Sequence, residues 1–213
     1  MNALAQQAKQ IAIQIIQNEA KADKVAWFNH SMNIDHDRKL CFVHNPKCMG
    51  TSIKSWLGLR VDNADHRFPT LMLNKRCWEE YRTIVVVRHP IDRFISSFNF
   101  HCRSDYSGGY LVRYPDLKSW SMEQYWARMV EESPYAVAPQ WKYTTHLQSE
   151  APPDHLIRME SPSADLKLIA EALDIEPLLP KLNRNEHEKK SPSPGFLNAL
   201  ERYYRRDLDI FGY

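Results

Sequence analysis

Leu40-Cys41-Phe42-Val43-His44-Asn45-Pro46-Lys47-Cys48-Met49-Gly50-Thr51-Ser52-Ile53 decides how the rest of the chain is read. Leu40 to Val43 form an unbroken apolar run, which predicts a buried strand. Pro46 and Gly50 bracket a tight turn, and Thr51 or Ser52 opens an apolar-periodic segment through Ile53, Trp56 and Leu57, which predicts a helix. Such a loop delivers Lys47 to a helix N-terminus, where unpaired N–H groups and a partial positive charge hold a phosphate or sulfate. The lysine here precedes the glycine, whereas the loop that grips nucleoside triphosphates has Gly-x-x-x-x-Gly-Lys-Ser/Thr. Motif order therefore weighs against a simple kinase or ATPase. An ordinary strand-turn-helix corner with a surface lysine stays open on this stretch alone.

Further along, Thr83-Ile84-Val85-Val86-Val87-Arg88-His89-Pro90-Ile91-Asp92-Arg93-Phe94-Ile95-Ser96-Ser97-Phe98 repeats the arrangement. Its β-branched run predicts a buried parallel strand, and Pro90 suits the first turn of a helix. Arg88 then ends the strand. Ser96 lies on the helix with Arg93 one turn earlier on the same face, so Arg88, Arg93 and Ser96 are expected to grip a second phosphate.

On these two motifs the chain resembles the carbohydrate sulfotransferase family that uses 3′-phosphoadenosine 5′-phosphosulfate (PAPS). In that family a segment like Phe-Val-His-x-Pro-Lys-x-x-Gly-Thr-Ser binds the 5′-phosphosulfate, and Phe42 to Ser52 follow it closely. The resemblance implies that Lys47, Cys48, Met49, Gly50, Thr51 and Ser52 bind the cofactor, with Lys47 also catalytic. Arg-x-Pro-x-x-Arg-x-x-Ser binds the 3′-phosphate in the family, which implies that role for Arg88 and Ser96. Cys48 and Met49 stand where the family commonly has Thr and Gly or other small residues, a departure that bears on the shape of the loop. The family's donor is PAPS, a co-substrate, and no metal is required.

Between the motifs lies Asp65-His66-Arg67-Phe68-Pro69-Thr70-Leu71, then a short helical stretch and Trp78. Soluble relatives often carry a histidine, a short helix, a tryptophan and an aromatic before the arginine-bearing strand, and His66 matches that histidine. A histidine, with an ordinary pKa of about 6.5, accepts a proton at neutral pH, so His66 is expected to be the general base toward an acceptor hydroxyl. His101, Asp65 and Glu160 are its rivals. His44, at the end of the first strand, reads as structural.

Residues 102–119 contain Ser107-Gly108-Gly109 and Pro115, which predicts a long irregular excursion. Tyr106, Tyr110, Arg113 and Tyr114 within it either line an acceptor site or form a flap packing on itself. Ser121-Met122-Glu123-Gln124 is a capping-box start for a helix reaching about Glu132. Pro139 to Tyr143 resembles a Gln-containing segment that the family places near the acceptor. His155 to Glu160 reads as another parallel strand, a helix follows from about Ser163 to Leu173, and the last helix starts near Pro194. Leu182 to Asn185 and the polar loop with Lys189 and Lys190 also resemble the family's carboxyl-terminal part.

The chain has 213 residues, enough for one compact domain or a domain with an appendage. We expect an amino-terminal helix and connector over 1–39 and a sulfotransferase domain over 40–213. Leu4, Ala8, Ile11, Ala12, Ile15 and Ile16 form an apolar stripe at helical spacing, suited to packing, with membrane-surface or dimerising roles as alternatives. Lys plus Arg total 28 against 26 Asp plus Glu, a balance with no global pull toward nucleic acid or membrane. Cys41, Cys48, Cys77 and Cys102 lack Cys-x-x-Cys spacing and read as buried free thiols. No apolar run approaches the ~20 residues of a membrane span, and no leader pattern opens the chain, so a soluble cytoplasmic protein is expected.

Strands alternating with helices predict an α/β fold, a three-layer P-loop-like domain with a mainly parallel sheet and ligands at the strands' carboxyl ends. The implied activity moves a sulfuryl group from PAPS to a hydroxyl of a glycan or other small hydroxylated acceptor. The alternatives are a P-loop nucleotide kinase or NTPase-like enzyme and a PAP-binding module without catalysis.

Overall fold

The computed structural model describes residues 31–62, 64–177 and 191–213. The amino-terminal stripe and the segment from Leu182 to Lys190 lie outside the described residues. Four strands, β1 (Ile34–Asp35), β2 (Leu40–Val43), β3 (Arg82–Val87) and β4 (His155–Arg158), form one sheet in the order β1-β2-β3-β4. β1 is antiparallel to β2, while β2, β3 and β4 run parallel, with Val43 opposite Val85 and Val87 opposite Arg158. This is the mixed α/β architecture with a mainly parallel sheet that the strand and helix alternation predicts.

β2 is buried along its whole length, and β3 from Thr83 onward, because side chains alternate to two covered faces. On one face Leu40, Phe42, Ile84 and Val86 pack with Ile53 of α1 (Gly50–Trp56), with Leu57 just past its end, and with Leu166 and Ile169 of α7 (Ser163–Leu173). The other face sets Cys41, Val43 and Val85 against Met72 of α2 (Pro69–Met72), Trp78 of α3 (Lys75–Glu80) and Tyr143. Each such side chain contributes roughly 1.5–3 kcal/mol on burial, which fixes the strand register.

A third cluster joins α4 (Pro90–His101) to α6 (Met122–Glu132) and α8 (Pro194–Tyr203) through Phe94, Phe98, Tyr125, Phe196 and Leu200. Pro90 sits in the first turn of α4, and Ser121 and Gln124 complete the predicted capping box of α6. A final helix, α9 (Arg205–Phe211), follows α8.

Two segments and the cysteines differ from the sequence reading or refine it. Ile34–Asp35, read as part of a polar connector, forms β1, and Asn33 beside it is fully buried. The excursion over 102–119 contains α5 (Gly109–Arg113) and a 3-10 turn at Leu117–Ser119, and it packs inward. Tyr106 and Tyr114 are buried in the helical cluster, Tyr110 hydrogen-bonds Ser133, and Arg113 pairs with Glu132, so these side chains hold the excursion to the body. Of the four cysteines, all free, Cys41 and Cys48 are buried while Cys77 and Cys102 are only half-buried. Among the described residues no helix is long and apolar enough to cross a membrane.

Candidate active site

Because β2 and β3 are adjacent and parallel, the loop after Val43 and the turn at Arg88 leave the sheet side by side. Lys47 and Met49 both adopt left-handed backbone conformations, with φ of 64° and 56°. Each costs about 1–2 kcal/mol in a residue bearing a Cβ. Met49 is the N-cap of α1 yet supplies no side-chain cap hydrogen bond. Left-handed residues alternating with others turn successive N–H groups into an anion-binding concavity, and an uncapped helix start leaves its own N–H groups for the same anion.

The two departures from the small-residue pattern are accommodated differently. Cys48 points inward, fully buried, with Sγ 3.5 Å from the Pro46 carbonyl and 3.6 Å from Gln140 Oε1. Burial pushes its thiol up to about 12, so its side chain is a neutral core group and only its backbone is left for a ligand. Met49 lies half-buried against the same apolar cluster. Gly50 is required by close approach, since a Cβ there would sit 1.7 Å from His44 Nε2. Thr51 is exposed and Ser52 half-buried at the start of α1.

Lys47 Nζ sits 3.8 Å from the centroid of the Phe100 ring. Burial pushes its pKa down to about 8, with the Arg103 and Arg88 charges acting in the same direction. Arg88 and Ser96 are half-buried, the first just past β3 and the second within α4. Arg93 corrects the expected trio. Its side chain is fully buried, donates to the Ala138 carbonyl and lies among Tyr204, Cys48, Tyr143 and Asp207. It braces α4 against the core and does not face a ligand.

His66 Nδ1 lies 2.9 Å from the His44 carbonyl oxygen, and the two rings stand 4.3 Å apart. A carbonyl only accepts, so Nδ1 carries the hydrogen and Nε2 of the neutral ring is left with its lone pair. Burial lowers the pKa of His66, while the His44 carbonyl and the Asp65 charge support its protonated form. Its rivals have other partners. Asp65 accepts from Arg67 at 2.7 Å and from Ser31 at 2.6 Å. Glu160 accepts the His89 N–H at 2.6 Å and the Tyr213 hydroxyl at 2.9 Å, tying the start of α4 to the last residue. His101 Nδ1 is 2.7 Å from the Tyr125 hydroxyl, and its pKa is pushed to about 3 by burial, then by the charges of Lys47 and His66. Lys47 and His66 therefore both lie within electrostatic reach of His101. His44 is buried, as a structural residue would be, and burial followed by the His66 charge pushes it to about 3.

Within the Pro139 to Tyr143 segment, Gln140 turns into the core. Its side chain is fully buried and bonded to Asn45, Cys48 and the backbone of Arg88. Phe100 was absent from the sequence reading, although it lies one helical turn after Ser96 on α4, a spacing that marks a neighbour on the same face. Among the described residues no group of three or more His, Cys, Asp or Glu is arranged to hold a metal ion.

A family model described as "Sulfotransferase family" matches residues 30–213. No match was found among curated proteins or among solved structures.

Proposed function

The chain belongs to the sulfotransferase family, and from that premise we propose that it moves a sulfuryl group from PAPS to a hydroxyl of a glycan or another small hydroxylated acceptor. The observation that carries this reading is the uncapped, left-handed loop around Lys47 standing beside Arg88 at the end of the neighbouring parallel strand. These are two anion positions of different make. The loop offers backbone donors and a lysine, which suits a phosphosulfate, and Arg88 with Ser96 suits a phosphate monoester. The choice of a saccharide acceptor rests on the resemblance of both motifs to carbohydrate sulfotransferases.

PAPS supplies a sulfuryl group already joined to a stable leaving phosphate. The loop N–H groups and Lys47 hold the anion, and Lys47, resting on Phe100, stabilises negative charge on the bridging oxygen as it builds up. His66 Nε2 takes the proton of the acceptor hydroxyl as that oxygen attacks. The resulting imidazolium keeps its Nδ1–H on the His44 carbonyl, a charge-assisted bond that favours proton uptake at this ring. Arg88 and Ser96 select the 3′-phosphate.

Binding of PAP compared with ATP, followed by transfer of label from radiolabelled PAPS to a panel of hydroxylated acceptors, tests the proposal. Tighter binding of PAP and label on one acceptor class are expected. Preference for ATP overturns the cofactor assignment in favour of a nucleotide kinase or NTPase-like enzyme. Tight PAP binding without transfer to any class overturns the catalytic part and leaves a binding module.

A further inference from the structure

The β2/β3 ladder ends at Val43 and Val85, yet the residues proposed to hold the two anions lie beyond that end. Side-chain amides take over from the ladder. Asn45 Nδ2 donates to the Val86 carbonyl at 3.0 Å and to Gln140 Oε1 at 2.9 Å. The Gln140 carboxamide then faces the backbone of Arg88 as a neighbouring strand would. Its Oε1 accepts the Arg88 N–H at 3.0 Å, and its Nε2 donates to the Arg88 carbonyl at 2.6 Å. The same Oε1 lies 3.6 Å from the Cys48 thiol, which follows Lys47 directly. Gln140 is itself held from behind, because Asp207 Oδ2 accepts the Gln140 N–H at 2.6 Å and Oδ1 accepts the Trp141 N–H at 2.9 Å. Asp207 and Gln140 are both fully buried.

We infer that Gln140 is a positioning residue that sets the distance between the Lys47 loop and Arg88, so that one ligand carrying two anionic groups meets both at once. The inference rests on the cofactor reading above. A pre-set spacing helps a ligand that bridges both positions, because the second contact then costs little further ordering, and gives nothing to a ligand with one anion. Loss of Gln140 therefore weakens a bis-phosphate selectively. A purely structural residue would weaken all ligands alike, through the fraction of folded protein.

The test is the affinity of the folded chain for PAP, 5′-AMP and 3′-AMP, measured by calorimetry in the wild type, Gln140→Ala and Asn45→Ala. Asn45→Ala cuts the link on the loop side without touching the Arg88 backbone, so it answers the question if Gln140→Ala does not fold. Each variant is expected to lose about 10-fold or more in PAP affinity and less than about 3-fold for either monophosphate, the pattern of lost pre-organisation. Equal losses for all three ligands, or unchanged PAP affinity in a folded variant, overturn the positioning role. A wild type that does not prefer PAP to both monophosphates overturns the cofactor reading itself, and this inference with it.

Discussion

His66 Nδ1 lies 2.9 Å from the carbonyl oxygen of His44, so the backbone just past β2 sets the tautomer of the histidine beside it. With Nδ1 engaged as donor, His66→Ala would remove the proposed proton acceptor. A fall in kcat of roughly 10²–10⁴-fold is expected, with PAP affinity preserved. In the wild type the acidic limb of the rate profile should lie below the ordinary histidine value of 6.5, because burial lowers the pKa of His66. A variant that keeps this limb and most of its rate assigns the base to another residue.

On the proposed mechanism Lys47 is expected to set the opposite limb. Its pKa is pushed down to about 8 by burial and by the Arg103 and Arg88 charges, so the free enzyme loses the lysine charge as pH rises through that value. The profile of kcat/KM should therefore fall on the basic side near pH 8. The kcat profile should fall later, since a bound anion holds the proton on Lys47. Lys47→Ala is expected to lower kcat about 10²–10³-fold while weakening PAP binding less, as a transition-state contact does. Normal turnover with poor PAP binding would reduce Lys47 to a docking residue.

The contact between Gly50 and His44 can be tested by a pair of substitutions. Gly50→Ala places a methyl group 1.7 Å from His44 Nε2, where neither the α1 backbone nor the packed ring has room. A loss of about 1–3 kcal/mol in urea unfolding is expected. Removing the ring in Gly50→Ala/His44→Ala should make the alanine at 50 nearly free, which appears as a coupling energy in the double-mutant cycle. Additive losses would show that the glycine serves some other need.

Stability should fall in acid through the buried histidines. His44 and His101 are pushed to about 3 in the folded chain, chiefly by burial, and return to the ordinary value of 6.5 on unfolding. Between those values the unfolded chain binds more protons. Folding is therefore favoured in full above pH 6.5 and progressively less as pH drops toward 3. From pH 7 to pH 5 each histidine should cost about 2 kcal/mol. Urea midpoints at the two pH values check this, and His101→Gln should remove about 2 kcal/mol of the difference. An undiminished difference would trace the acid sensitivity to other groups.

The local pattern of residues determined most of the frame. Uninterrupted apolar runs gave β2 and the buried length of β3, Pro90 and Ser121 marked helix starts, and the segment from Ser163 to Leu173 is helical as its periodicity predicts. The turn and helix start around Gly50 were equally legible, because a strand-turn-helix corner is local in sequence. Packing across the sheet decided the rest. Arg93 shares a helix face with Ser96 by spacing, yet it is the arginine turned toward Tyr204 and Asp207, elements more than a hundred residues away in the chain. Gln140 carries no periodic or motif signal for its contacts, which arise only when the Pro139 turn closes over the ends of β2 and β3. Sequence specifies which groups exist and which local structure presents them, through short-range sterics and hydrophobic period. Which of those groups are sealed in the core, and which are left open to a ligand, depends on long-range contacts that no local pattern encodes.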